Sequence, residues 1–401
     1  MAQFSLSARI ERIEPSATIA MSARSAELQA AGKDVVNLTT GEPDFDTPEH
    51  IKEAARKALA NGETKYTAVA GTVRLREAIC RKLGRDSGLD YGPDDVVATC
   101  GAKHAIMNLF LVAADHGDEV VIPTPCWVTY PDVAQFCGAK PVYVDASIED
   151  GFKINPEQLE EALTDRSRIF VINTPSNPTG AVYSAAELKA LGEVLAKYPK
   201  VIIASDEIYE HITYGDAKHV SFPEACPELK DRTVIFNGVS KAYAMTGWRM
   251  GFSASHPELA KAMRKIQSQT TTNICSIAQA AAAAALDSEL DNLKPMLEAF
   301  AARRAKVLQA FDDLEGVEIA AIDGAFYGFI EVGGAARQLA ADGVIPEPSD
   351  KALAEHLLSE KLVSTVYGAA FKSKDPALRL SFATNDELLA KGLERLRAAL
   401  G

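Results

Sequence analysis

Between residues 95 and 255 the chain alternates short, β-branched apolar runs with segments of helical period. The runs read DVVATC, DEVVIP, KPVYVD, RIFVIN, KVIIAS, TVIFN and RMGFSAS. Seven strands, most of them separated by a helix-length segment, predict an α/β domain with a mainly parallel sheet. Ligands are then expected at its carboxyl edge. Helix starts are marked by Thr47-Pro48 before EHIKEAARKAL, by Asn155-Pro156 before EQLEEAL, and by capping boxes at Ser184–Glu187 and Thr384–Glu387.

The pattern changes after a helical stretch at about 289–313. GVEIAAI and FYGFIEV read as strands, a polar Pro-containing loop follows near 341–349, and then come a helix, LVSTVY, LRLSFA and a last helix from 386. This is an α+β order. The helix near 16–31 and the strand VVNL have no sheet of their own nearby, so they are assigned to the same unit. The expected division is a large domain over residues 46–290 and a smaller one built from 1–45 and 291–401.

Composition narrows the classes. A chain of 401 residues exceeds the reach of one core, and 47% hydrophobic with 24% charged residues excludes disorder. The net charge of −13 comes from dispersed acids, which argues against nucleic acid as a partner. Six cysteines without CxxC spacing, and a start, MAQFSLSARIERIE, with no apolar signal core, lead us to expect free thiols and a cytoplasmic chain. The alanine run AQAAAAAALDS at 278–288 is too short to cross a membrane and is expected to be a tightly packed helix.

Three strand ends carry the candidate chemistry: RIFVINTPSNPTG, VIIASDEIYEH and TVIFNGVSK place Asn177, Asp206, Tyr209, Ser240 and Lys241 in loops along one sheet edge. A carboxylate ending a buried strand is costly unless a cation meets it. Alone, Asp206 suits a helix cap or a structural ion pair equally well, and a lone strand-end lysine reaches water. Together they suit a heteroaromatic cofactor that bears an aldehyde, a phenolic oxygen, a ring nitrogen and a phosphate. Pyridoxal phosphate has all four.

The stretch GVSKAYAMTGWRMG at 238–251 resembles the pyridoxal-phosphate attachment signature of class I aminotransferases. GEPDFDTPEH, TKYTAVAG, NTPSNPTGAVY, SDEIYEH and LRLSFAT extend the resemblance over nearly the whole chain. The chain is thus similar to fold-type I aminotransferases of the bacterial aspartate/prephenate group. That resemblance implies that Lys241 binds the cofactor's aldehyde and moves the proton, that Asp206 faces the ring nitrogen, and that Asn177 and Tyr209 face the phenolic oxygen. It assigns ring stacking to Trp127, for which a core tryptophan is the competing reading, and phosphate binding to Gly101, Ala102, Lys103, Ser240 and Arg249. Tyr66 matches a tyrosine that reaches the phosphate of a second subunit, so a homodimer with interfacial sites is expected. One departure is Gly238, where many relatives carry a serine.

For substrate, the resemblance implies Arg379 on the α-carboxylate, helped by Gly41 and Asn177, with Trp127 alongside. Lys103 and Thr18 match positions associated with a distal carboxylate, and a lysine opposing the helix dipole calls for an anion. The expected activity is transfer of an amino group from aspartate or glutamate to a 2-oxo acid, with prephenate as a further acceptor, by ping-pong exchange between pyridoxal and pyridoxamine forms. A C–S lyase or an aromatic- or alanine-type aminotransferase on this fold is the alternative. A ligand-sensing regulator would need a DNA-binding head, which the sequence does not show. Tyr367, where many relatives have proline, is expected near the substrate entrance.

Overall fold

A computed structural model describes residues 4–401. Its strands are β1 (Val36–Asn37), β2 (Val96–Thr99), β3 (Glu119–Thr124), β4 (Lys140–Asp145), β5 (Ser167–Asn173), β6 (Ile202–Asp206), β7 (Thr233–Gly238) and β8 (Gly251–Ala254). The later ones are β9 (Glu318–Ile319), β10 (Tyr327–Glu331), β11 (Val363–Ser364), β12 (Val366–Tyr367) and β13 (Ala377–Ser381).

The seven apolar runs become β2 to β8 and form one sheet in the order β2-β8-β7-β6-β5-β3-β4. Only β8 runs antiparallel to its neighbours. β2, β7 and β8 are buried along their whole length, as strands covered on both faces must be. The alanine run is the buried helix Ser276–Leu286, whose small side chains allow close packing on Glu49–Ala60 and Val73–Ser87. Because β4 and β5 lie on opposite sides of β3, the connections diverge and leave a crevice at the carboxyl edge. Asn173 ends β5, Asp206 ends β6, and Gly238 ends β7 just before Lys241.

β8 begins at that same edge. Gly251 pairs with Gly238 and with Thr99. A Cβ on Gly251 would overlap the Ala102 amide nitrogen, so the absence of a side chain lets the helix Ala102–Ala113 start against the sheet. At Gly238 a Cβ would lie 2.8 Å from Gly251 Cα, so the local packing closes this position to a serine.

β12-β13-β10-β9 form an antiparallel sheet, and β1 pairs with β11 in parallel. VVNL thus finds its partner near the far end of the chain. LVSTVY, expected as one strand, is divided: Val363–Ser364 pair with β1 and Val366–Tyr367 with β13. The helix Gly333–Ala341 was not expected from the sequence, because it starts with two glycines and has no capping side chain. Gly334 packs directly on the Gly316 backbone, so tertiary contact overrides weak propensity.

The helix marked by Thr47-Pro48 starts where expected, at Glu49, while one capping residue differs. Asn385, not Thr384, caps the last helix, accepting from the Leu388 amide at 2.9 Å. Thr47 caps nothing: its hydroxyl donates to Ala244 O at 2.7 Å and accepts from Trp248 Nε1 at 3.0 Å. The Ser184 capping box forms as expected, and the helix marked by Asn155-Pro156 starts there with a capping box between Asn155 and Gln158. Arg303 of helix Lys294–Phe311 forks onto Asp44 at 2.7 and 2.9 Å, fastening segment 41–48 from its other side. All six cysteines are free, and no helix among the described residues is long and apolar enough to cross a membrane.

Gly251→Ala is expected to lower the free energy of unfolding by about 1–3 kcal/mol, since backbone and not a flexible side chain blocks the added methyl. Urea denaturation of the variant beside the parent chain measures this.

Candidate active site

At the crevice lies a cavity of about 290 Å³. Of the residues singled out in the sequence, Thr18, Gly41, Ala102, Lys103, Trp127, Asn177, Asp206, Tyr209, Ser240, Lys241, Arg249 and Arg379 all line it. Its charged lining residues are Lys103, Lys241, Arg249 and Arg379 against the single acid Asp206. A chain of net charge −13 therefore presents a cationic concavity here, which favours anionic ligands.

Lys241 follows β7, and its Nζ donates to Gly41 O at 2.7 Å. Its pKa is lowered to about 8, first by burial and then by Arg379 and Arg249, while Glu42 and Asp206 oppose the shift. An amine in that range is partly neutral near physiological pH and so is nucleophilic.

Asp206 is 3% exposed. It accepts from Tyr130 OH at 2.6 Å and from the Ile208 amide at 3.3 Å, and no lysine, arginine or histidine forms an ion pair with it among the described residues. Burial raises its pKa to about 6 against the lowering effect of Tyr130. Tyr209 donates to or accepts from Tyr327 OH at 2.8 Å, and burial holds its phenol far above the ordinary value.

Arg379, 2% exposed in β13, donates Nη1 to Asn177 Oδ1 at 3.0 Å and Nη2 to Thr39 O at 2.6 Å. Its Nε has no partner, and no carboxylate meets it among the described residues. The guanidinium lies 4.6 Å from the Tyr327 ring centroid and 4.9 Å from that of Phe371. Burial lowers its pKa. Gly41 must lack a side chain here, because a Cβ would overlap Tyr327 OH.

The helix Ala102–Ala113 begins at the cavity. Gly101, at φ 77°, is its cap residue and makes no side-chain bond. The sequence reading took the amides of Gly101, Ala102 and Lys103 as free, but that of Gly101 is already bonded to Thr99 O at 2.8 Å. The amides of Ala102 and Lys103 remain for an anion, the usual role of an uncapped helix start. Arg249 stands beside them at φ 54°, in the left-handed region, with Nη1 on Thr246 O at 2.9 Å. A Cβ on Gly101 would overlap Arg249 Nη2. Lys103 lies 4.9 Å over the Trp127 ring, with its pKa lowered by desolvation and then by Arg249. Trp127 is half-buried and meets Tyr130 edge-on at 5.5 Å, so it borders both the cavity and the core.

Three expected site residues do not line the cavity: Gly101, which caps the helix beside it, Tyr66 and Tyr367. Tyr66 is 90% exposed and does not line it. Tyr367 does not line it either; its neighbour Val366 faces the cluster around Phe329 and Phe371, and strand alternation turns Tyr367 to the opposite face. Sequence reading missed Tyr130 and Tyr327, whose hydroxyls hold Asp206 and Tyr209. Tyr130 stands one helical turn after Trp127, a spacing that was there to be read; Tyr327 is hidden within the apolar run FYGFIEV.

Residues 33–396 match the family Aminotransferase class I and II. The chain is 46% identical to the aspartate/prephenate aminotransferase of Nitrosomonas europaea, covering 98% of this chain and 99% of that one. It is 46% identical to the aspartate aminotransferase of Geobacillus stearothermophilus, covering 98% of each. Its fold superposes on the aspartate aminotransferase of Rhizobium meliloti with TM-score 0.94 at 42% identity, covering 99% of both chains. It superposes on that of Thermus thermophilus with maleate at TM-score 0.91 and 40% identity, covering 99% and 100%. The chain belongs to the class I and II aminotransferase family and has its fold-type I α/β architecture.

Because burial moves Asp206 from 3.8 to about 6, the folded chain holds a proton through that window which the unfolded chain has released. Folding therefore loses stability as pH rises through the window, and above about pH 6 the full penalty of about 3 kcal/mol applies. In cofactor-free protein, Asp206→Asn is expected to be more stable than the parent at pH 7.5 by up to that amount, the difference narrowing toward pH 4. Urea titrations at the two pH values check it.

Proposed function

We propose that the chain is a pyridoxal-phosphate-dependent aminotransferase acting on dicarboxylic substrates, chiefly aspartate or glutamate with a 2-oxo acid. The observation that carries this reading is one cavity holding a buried acid without a cation, a buried guanidinium without an anion, and an amine of lowered pKa. Each charge lacks the partner that burial demands, and the cofactor with its substrate provides all three. The residues fit the group: Lys241 for the aldehyde, Asp206 for the ring nitrogen, Tyr209 and Asn177 for the phenolic oxygen, and Trp127 for the ring face. Ala102 and Lys103 amides, Ser240 and Arg249 suit the phosphate, with Gly101 leaving room for the arginine. When bound, the cofactor supplies an electron sink for the carbanion at the substrate's Cα.

The protein's own work in this reading is binding and proton transfer. A cation at the ring nitrogen lowers the Asp206 pKa and keeps its carboxylate charged. Lys241 Nζ, drawn toward Gly41 O and with its pKa lowered by burial to about 8, takes and returns the Cα proton. Arg379 forks onto the α-carboxylate, its Tyr327 and Phe371 neighbours keeping water away. Lys103 and Thr18, which both line the cavity, are assigned to the distal carboxylate. Prephenate, also a dicarboxylate, belongs in the acceptor set because near relatives carry it in their names. Residues 46–290 act as the cofactor domain, and 1–45 with 291–401 as the smaller one that closes over substrate. Tyr66, with its ring in solvent, serves the phosphate of a second copy, giving a homodimer. Free thiols suit a cytoplasmic setting.

Loading with pyridoxal phosphate, borohydride trapping and peptide mass analysis should place the adduct on the peptide containing Lys241; an adduct elsewhere overturns the assignment. Initial rates with aspartate and 2-oxoglutarate should give parallel double-reciprocal lines, the mark of ping-pong exchange. Lys103→Ala should raise KM for aspartate roughly tenfold or more while barely changing that for alanine, reflecting one lost charge-assisted contact. Unchanged aspartate kinetics would remove the distal-carboxylate role.

A further inference from the structure

The turn after β6 has two faces. Asp206, Ile208 and Tyr209 line the cavity, whereas Glu207, Glu210 and His211 do not. Glu207, 1% exposed, accepts from the hydroxyls of Ser205 and Ser221 at 2.8 Å, from the Phe222 amide at 3.2 Å, and meets His219 Nε2 at 3.3 Å. Glu210 meets the ammonium of Lys82, itself 1% exposed on helix Val73–Ser87. One turn further along that helix, Asp86 lies 3.4 Å from the same ammonium and 2.6 Å from Arg85. His211 Nε2 stands 3.4 Å from both Asp86 and Glu210.

Burial raises the Glu210 carboxyl, but Lys82, His211 and His219 outweigh it, so this acid is held below its ordinary range. None of these groups reaches the cavity. A buried ion pair adds little stability over apolar side chains of the same size, and its best-attested use is to fix one geometry among several. The turn needs such fixing. Beyond Asp206 it leaves the strand ladder, and its main chain is held by isolated bonds, Glu207 N to Phe236 O, Ile208 N to Asp206 Oδ1, Glu210 N to Glu207 O and Ile212 N to Tyr209 O, with the Glu207 side chain anchoring its near end.

We propose that Lys82 and Glu210 are positioning residues, clamping the 206–211 turn to helix Val73–Ser87 so that the Asp206 carboxylate and the Tyr209 hydroxyl meet the cofactor in register. The inference rests on the reading above that these two groups face the cofactor. It assigns a role in the reaction to side chains that touch neither cofactor nor substrate.

The test compares the parent chain, Lys82→Met, and the charge-balanced pair Lys82→Met with Glu210→Met. The single variant buries Glu210 without its cation, and its unfolding midpoint should fall. In the double variant both charges leave together, so the midpoint should return close to the parent's. Even so, the pH titration of bound pyridoxal phosphate absorbance should be displaced in the double variant, and kcat/KM should fall about tenfold to a hundredfold, as small misplacements at a reacting centre do. A double variant with parental midpoint, titration and kcat/KM overturns the proposal. So does an activity loss that simply tracks stability across both variants, which would make the pair structural. A parent chain that takes up no pyridoxal phosphate instead removes the reading on which the proposal stands.

Discussion

A carboxylate closed off at the end of a central strand, with one tyrosine hydroxyl and one amide for company, is the constraint around which this molecule is arranged. Asp206 cannot move to water without pulling β6 out of the sheet, and its neighbours do not neutralise it. Arg379, in the same cavity, is likewise fixed, by β13 pairing on both sides. Two buried groups of opposite charge thus line one cavity without pairing with each other. Such an arrangement is retained where a ligand completes it.

The gap itself is set by segment 41–48, which is held from two directions. Lys241 reaches Gly41 O and Thr47 reaches Ala244 O, joining the segment to the loop after β7; Arg303 holds Asp44 from the helix Lys294–Phe311. The strand β1 just before it pairs with β11, so the early chain is tied to the late chain. One short stretch therefore relates the parallel sheet to the elements that carry Arg379.

All seven strands of the main sheet were legible as short β-branched apolar runs, most of them buried, and position at the carboxyl ends of β6 and β7 picked out Asp206 and Lys241. The small antiparallel sheet was legible only in outline. The change of partner at Thr365 leaves no mark in the pattern, and Gly333–Ala341 depends on a glycine contact with residue 316 that no local rule anticipates. Thr384 and Asn385 are both good caps, and only the backbone decides between them. In the site, Arg379, Thr18 and Lys103 were singled out by resemblance; nothing in period or spacing sets them apart from surface residues. Tyr130 and Tyr327 escaped because tyrosines in apolar surroundings read as core, which is where their rings in fact lie.

Arg249 sits with a side chain in a backbone region where glycine would be more comfortable by about 1–2 kcal/mol. Backbone energetics therefore disfavour a side chain here, and the proposed contact of its guanidinium with an anion at the start of helix Ala102–Ala113 would offset that cost. On the proposed reading, a homologous chain that bound no anion there would carry glycine or asparagine at this position at lower backbone cost, so the identity of this one residue would report whether the phosphate site is kept.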